Sequence, residues 1–142
     1  MALENFKGKV VLLKFFATDC PHCQRVAGEI MPIYKELRSR GLEVLAVAID
    51  PDAKQRVPEF VERFGLTYPV ALGNPSVLKT FASLPAGKLI SMPYIFLIDR
   101  RGSIRFEHEG RDQAFYSNTP ANLHAELDVL LGESASTRKP SR

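Results

Sequence analysis

The chain of 142 residues has no tryptophan, three histidines and two cysteines, Cys20 and Cys23. Two cysteines separated by two residues are too few and too close for a structural disulfide framework. Half of a zinc site is the other bland use of such a pair, but it needs a second Cys or His pair at ligand spacing, and His108 and His124 are isolated in the sequence. No stretch approaches the roughly 20 apolar residues of a membrane span, and the first ten residues, MALENFKGKV, carry no apolar signal core. The net charge is only +3, spread over interleaved acids and bases. The one basic cluster, Arg138, Lys139 and Arg142, lies among Ser, Thr and Pro, the composition of a solvated end and not of a nucleic-acid arm. A soluble monomer is expected, with one domain over 1–132, a disordered tail over 133–142, no membrane span and no nucleic-acid partner. The chain reaches a strand by about Lys9 with little lead-in, as if trimmed from a longer protein, so its compartment stays open.

What is present is an alternation of strand and helix patterns. Lys9–Ala17 (KVVLLKFFA) is an apolar run rich in β-branched and aromatic residues, bounded by Gly8 and Thr18-Asp19, which predicts a buried strand. From Cys20 the period changes: Cys23, Val26, Ala27, Ile30, Tyr34 and Leu37 fall at helical spacing up to Gly41, with Thr18 or Asp19 available as cap and Pro32 expected to bend the axis near Gly28. Glu43–Ile49 predicts a second buried strand. A helix with Val57, Phe60, Val61 and Phe64 on one face then runs to Gly65, and a short strand follows over Tyr68–Leu72. Asn74-Pro75 opens a helix with Val77, Leu78 and Phe81 inward, and Leu84–Lys88 is a loop. Pro93–Ile98 and Ser103–Glu109 are joined by a turn short enough to make them an antiparallel hairpin, and Pro120–Leu131 closes the chain as a helix. Such alternation predicts an α/β fold: a mixed sheet, mostly parallel, with a C-terminal antiparallel hairpin and helices on both faces.

Cys20 falls at the junction of the first strand and first helix, where free backbone N–H groups and the helix dipole favour a thiolate, the form of cysteine that attacks. Cys23 is one turn further on the same side, placed to resolve a mixed disulfide. Pro21 suits a first helical turn because it needs no donor there. His22 is a titratable group between the thiols that can stabilise a thiolate when cationic.

The segment Phe15-Phe16-Ala17-Thr18-Asp19-Cys20-Pro21-His22-Cys23 resembles the active-site segment of thioredoxin-fold proteins. The layout of Phe6 to Cys20, followed by Met92 to Gly102, is similar to that of TlpA-like thiol-disulfide oxidoreductases. The resemblance covers nearly the whole chain. It implies a thioredoxin-like three-layer sandwich with an extra helix-strand insert over Lys54–Leu72. It further implies thiol-disulfide exchange with protein dithiol or disulfide substrates and a redox partner, no cofactor, and a periplasmic or other extracytoplasmic location, with the cytoplasm as the alternative. It also makes Met92-Pro93 a cis peptide bond beside the cysteines, leaving the preceding backbone free to pair with a bound peptide; an ordinary strand-initial proline is the alternative.

Two positions depart from the pattern. Lys14 stands where thioredoxins place a buried acid, six residues before the first cysteine, and Val26 stands where many TlpA-like proteins have Glu; the nearest helix acid, Glu29, is two turns from His22 and not obviously in reach. Lys14 is expected to carry its charge to the surface along its aliphatic stem, the alternative being a place beneath the thiols where it stabilises their anions. Two other functions are the alternatives. A peroxiredoxin-like peroxidase needs Thr or Ser three residues before the attacking cysteine and a proline earlier in the loop, where this chain has Ala17 and Leu13. A non-catalytic thioredoxin-fold binding module would not need intact cysteines.

Overall fold

Seven residues, Val10–Phe16 (β1), are buried to the last side chain, as an unbroken apolar run between two neighbouring strands requires. Around it the computed structural model, which describes residues 6–84 and 89–134, assembles a five-stranded sheet. β1 pairs in parallel with β2 (Leu42–Ala48), and β2 pairs in parallel with β3 (Val70–Leu72). On its other side β1 pairs antiparallel with β4 (Tyr94–Ile98), which forms the antiparallel hairpin with β5 (Ile104–His108), giving the order β3-β2-β1-β4-β5. The sheet is mixed, and its antiparallel part extends past the terminal hairpin to the β1–β4 pair. The reversal matters for the site: Tyr94 at the start of β4 lies opposite Phe15 near the end of β1, which delivers Pro93 to the strand end that precedes Cys20.

Side chains alternate across β1. Val10, Leu12 and Phe16 join the core formed with helix α1 (Pro21–Leu37), helix α2 (Ala53–Phe64) and the last helix, α5 (Thr119–Leu131). Val11, Leu13 and Phe15 face the other way, with Phe96 and with Leu78 of α3 (Pro75–Ala82). Phe81 and Phe96 meet edge-to-face at 4.8 Å, and Phe15 meets Phe96 at 6.0 Å, geometries favoured by the ring quadrupoles. Helices therefore cover both faces, in three layers.

Several local expectations are corrected. The cap of α1 is Cys20 itself, not Thr18 or Asp19. As expected, α1 contains Pro32, exposed, and it continues to Leu37 before tightening into a single turn over Arg38–Arg40 that ends at Gly41. Val77 is 46% exposed instead of inward, because an eight-residue helix lying on the sheet buries one narrow stripe, here Leu78, Phe81 and Ala82. A short helix that the sequence reading did not anticipate, α4 (Gln113–Tyr116), follows β5; four residues are too few to display a helical period. The predicted loop Leu84–Lys88 falls largely outside the described residues, as does 135–142. Within the expected tail, however, Glu133 is held: both its carboxylate oxygens accept from Arg105, and its carbonyl accepts from Arg100 Nε.

Two glycines bear on the hairpin and the site beside it, one by its backbone conformation and one by the space it leaves. Gly102, at φ +88°, completes the turn between β4 and β5, where its N–H donates to Asp99 O at 3.0 Å. Gly110 packs its backbone on residues 91 and 92: a Cβ there would come 2.5 Å from the Met92 carbonyl oxygen.

Candidate active site

The end of β1 turns through Thr18 and Asp19 into α1, and an acid from another strand end holds that turn. Asp50, just past β2, accepts from the Thr18 N–H at 3.0 Å and the Thr18 hydroxyl at 2.6 Å, while Gln24 Nε2 donates to Thr18 O at 3.0 Å. Cys20 then caps the helix with its sulfur: Sγ accepts the Cys23 N–H at 3.2 Å, an arrangement in which a thiolate receives a backbone donor and the positive end of the helix dipole. Cys20 is half-buried, and Cys23 is completely buried behind it. Burial pushes the Cys23 thiol far above the usual cysteine range, and a hydrogen bond with Cys20 adds to this. The backbone of Ala17 and, more weakly, the charge of Lys14 pull it back. One sulfur is thus reachable and poised, and the other is held as a thiol.

Met92-Pro93 is cis, and Cys20 Sγ lies 4.0 Å from the Met92 carbonyl oxygen. Two contacts tie this segment to α1 from the far side. The Tyr116 hydroxyl donates to Pro93 O at 3.2 Å while its ring meets the His22 ring edge-on at 4.6 Å. His22 Nε2 lies 3.2 Å from Gly110 O, and the Gly110 N–H donates to Ser91 O. His22 Nδ1 faces an Arg25 guanidinium nitrogen at 3.1 Å. Guanidinium only donates, so Nδ1 accepts and Nε2 carries the proton it gives to Gly110: these partners suit the neutral imidazole. Glu29 is linked to His22 only by way of Arg25, whose other nitrogen binds both Glu29 oxygens at 3.1 Å. Pro21, exposed in the first turn, contributes the backbone that leads from one cysteine to the other.

Lys14 overturns the expectation that it reaches the surface. It is 0% exposed, because β1 is the central strand and α1 lies over that face. Its ammonium nitrogen donates to the Tyr68 hydroxyl at 3.3 Å and sits 5.0 Å from the Phe16 ring centroid and 5.6 Å from that of Tyr68. Among the described residues no carboxylate pairs with it. Burial lowers its pKa from 10.5 to about 8, the Cys23 sulfur pulling it partly back up.

The sequence reading named Cys20, Pro21, His22, Cys23, Met92 and Pro93, and the fold brings all six to one end of the sheet. It missed Asp50, Tyr68, Gly110 and Tyr116, which come from three other connections. For Asp50 there was a usable signal, the first of two acids at the carboxyl end of the strand next to β1; for the others there was none. Beside the site a cavity of about 230 Å³ separates Thr18, Asp19 and Gln24 from Arg56, Glu59 and Arg63 of the insert helix.

A half-exposed cysteine capping a helix, a buried partner three residues on and a cis-proline against the first sulfur, on this strand order, define a thioredoxin-like protein with a dithiol site. Comparison with known proteins narrows this: residues 1–107 match the model of the AhpC/TSA family, and the chain belongs to that family. It is 36% identical over 106 residues to the thiol-disulfide oxidoreductase ResA of Geobacillus kaustophilus, an alignment covering 72% of this chain and 56% of that protein. It is also 32% identical over 107 residues to protein DipZ of Mycobacterium tuberculosis, covering 72% of this chain and 15% of that one. The chain thus spans little more than half the length of the ResA proteins it matches. In three dimensions it is similar to a thiol:disulfide interchange protein of the thioredoxin family from Chlorobium tepidum, with a TM-score of 0.74 at 23% identity over 93% of this chain and 86% of that one. It is likewise similar to the thioredoxin domain of a thiol-disulfide oxidoreductase from Bacteroides vulgatus, with a TM-score of 0.71 at 19% identity over 93% and 86% of the two chains. These likenesses establish the fold.

Proposed function

We propose that this protein exchanges disulfides with protein substrates, Cys20 forming the mixed disulfide and Cys23 resolving it. The observation that carries the reading is the asymmetry of the pair: the half-exposed Cys20 Sγ receives a backbone N–H at the helix start, and Cys23 is sealed behind it. In the reducing direction Cys20 thiolate attacks a substrate disulfide and a substrate thiolate leaves. Cys23 then attacks Cys20 Sγ, the second substrate sulfur leaves, and the Cys20–Cys23 disulfide remains. The oxidising direction is the reverse. Met92 and Pro93 border the reacting sulfur, and the Met92 backbone is the edge on which an extended substrate segment can lie.

In this reading the neutral hydrogen bonding of His22 makes it a strut between α1 and the Gly110 turn, and anion stabilisation at Cys20 falls to the Cys23 N–H and the helix dipole. The likeness to ResA supports protein disulfides as the substrate class, and the TlpA-like resemblance supports an extracytoplasmic location. No described helix is long and apolar enough to cross a membrane. Equilibrating the protein in glutathione buffers and trapping free thiols with a mass-shifting alkylator measures the potential of the pair. A value near the thioredoxin potential of about −270 mV identifies a reductant and one near the DsbA potential of about −120 mV an oxidant. Failure to form an intramolecular disulfide at any ratio refutes the exchange reading.

A further inference from the structure

A fully buried lysine with no carboxylate beside it among the described residues is costly to keep charged, and this one lies in the central strand under the helix that carries both cysteines. Its polar neighbour is a hydroxyl, not an acid. Cys23 belongs to the same core cluster as Phe16 and Tyr68, the two rings that the Lys14 ammonium meets, and the charges of the amine and the sulfur influence each other. The remaining titratable groups around them are few. Cys20 adjoins Cys23, Tyr34 of α1 meets Tyr68 edge-on at 5.8 Å, and Tyr116 of α4 is influenced by Cys23. The strand neighbours of Lys14 are the apolar Ala46 and Ile95.

We propose, on the basis of the exchange reading above, that Lys14 is the charge partner of Cys23: at rest ammonium and thiol each hold a proton, and once the ammonium has given one to solvent, buried amine and buried thiol share the other, which sits on sulfur until Cys23 attacks and then on nitrogen. Both arrangements, amine with thiol and ammonium with thiolate, leave the pocket without net charge, so the thiolate forms without burying an uncompensated anion. The Tyr68 hydroxyl accepts from the ammonium and favours the second arrangement. During resolution the Cys23 proton passes to Lys14, the Cys23 thiolate bonds to Cys20 Sγ, and the bond from Cys20 to the substrate breaks. The substrate sulfur leaves with the electron pair as thiolate, so substrate is reduced and the cysteine pair oxidised. With the sulfur consumed, the ammonium has lost the counter-charge that raised its proton affinity, and it gives up the proton to solvent the more readily as pH rises. In the opposite direction substrate thiolate attacks Cys20, Cys23 departs as thiolate, and a protonated Lys14 receives it. The amine thereby serves where other thioredoxin-like proteins use an acid, with the sign of the charge reversed.

The test is the resolution step in isolation. Cys20 in the full chain is converted to its mixed disulfide with thionitrobenzoate, and the release of the yellow thiolate by Cys23 is followed from pH 6 to 10. In the wild type the rate should rise to a plateau with its midpoint near pH 8. Lys14→Met, of similar length and apolar, should slow release by at least about tenfold at pH 7 and replace the plateau by a continued rise. Tyr68→Phe should move the midpoint to lower pH. An unchanged rate and profile in folded Lys14→Met overturns the proposal and leaves the exchange reading standing. If Lys14→Met does not fold, an unmoved midpoint in Tyr68→Phe overturns it instead. Absence of release from the wild type defeats both the proposal and the exchange reading on which it rests.

Discussion

On one face of β1, Leu13 and Phe15 pack with Leu78, Phe81 and Phe96 into a layer of hydrocarbon, with the Tyr94 hydroxyl turned to its margin to meet Glu107. On the other, Leu12 and Phe16 flank Lys14 under α1, in electrostatic reach of Cys23, with Tyr68 and Tyr116 close by. The same strand, with the same burial, packs hydrocarbon on one side and a buried amine on the other. A face that only needs volume is filled with rings and branched chains. On the proposal above the second face must handle a proton, and so it retains groups that weaken the fold and leans on the first for the difference.

Substitutions can break or sharpen that contrast. The largest effect belongs to the cysteines: Cys20→Ser is expected to abolish exchange, whereas Cys23→Ser should retain attack and stall as a stable mixed disulfide, visible as a mass increase equal to the substrate. On the hydrocarbon face, Phe96→Ala is expected to cost about 3–5 kcal/mol in urea unfolding, with the alkylation rate of Cys20 in the folded protein unchanged. A changed Cys20 rate would mean that the faces are not independent.

Lys14 gives a third comparison, with a defined sign. Its pKa is 10.5 when solvated and about 8 in the fold, so between those values the unfolded chain binds more protons than the native one, and stability rises with pH. Below pH 8 both states are protonated and the penalty is fully present, at about 3 kcal/mol. Lys14→Met should therefore be more stable than wild type at pH 7, with the advantage shrinking from pH 8 upward. Urea titrations of both proteins at pH 7 and 9.5 measure the difference, in which tyrosine ionisation cancels. Equal stability at both values would show that the amine is solvated. The smallest effect is at the start of α3, where Asn74 Oδ1 accepts the Val77 N–H at 3.1 Å; Asn74→Ala should cost about 1 kcal/mol in the same assay and leave the site untouched.

The strands, the main helices and the dithiol were legible because each rests on local pattern. β1 announces itself by an apolar run, α1 by the spacing of Cys23, Val26, Ala27, Ile30, Tyr34 and Leu37, every one of them buried, and the hairpin by its short turn around Gly102. Val77 and α4 were misread or missed because a helix of four to eight residues completes too few turns for its period to select a face. His108 and His124, isolated along the chain, each lie between two carboxylates in space, Asp112 and Glu126 for the first, Glu36 and Asp128 for the second. Arg100, whose role has no local signature, collects the carbonyls of Gly8, Arg40, Leu131 and Glu133.

Sequence alone determined the α/β character, the pairing of two cysteines at a strand-to-helix junction and the placing of Pro93 at the head of a strand, because hydrophobic period, cap position and proline's fixed geometry act over a few residues. Only the tertiary structure decided where the charge of Lys14 resides, that His22 is held by Gly110 and Arg25, and that Asp50 and Tyr116 support the site. Those outcomes depend on which strand is central, which helix covers it and which distant donors meet which acceptors, and such facts exist only once the sheet is assembled.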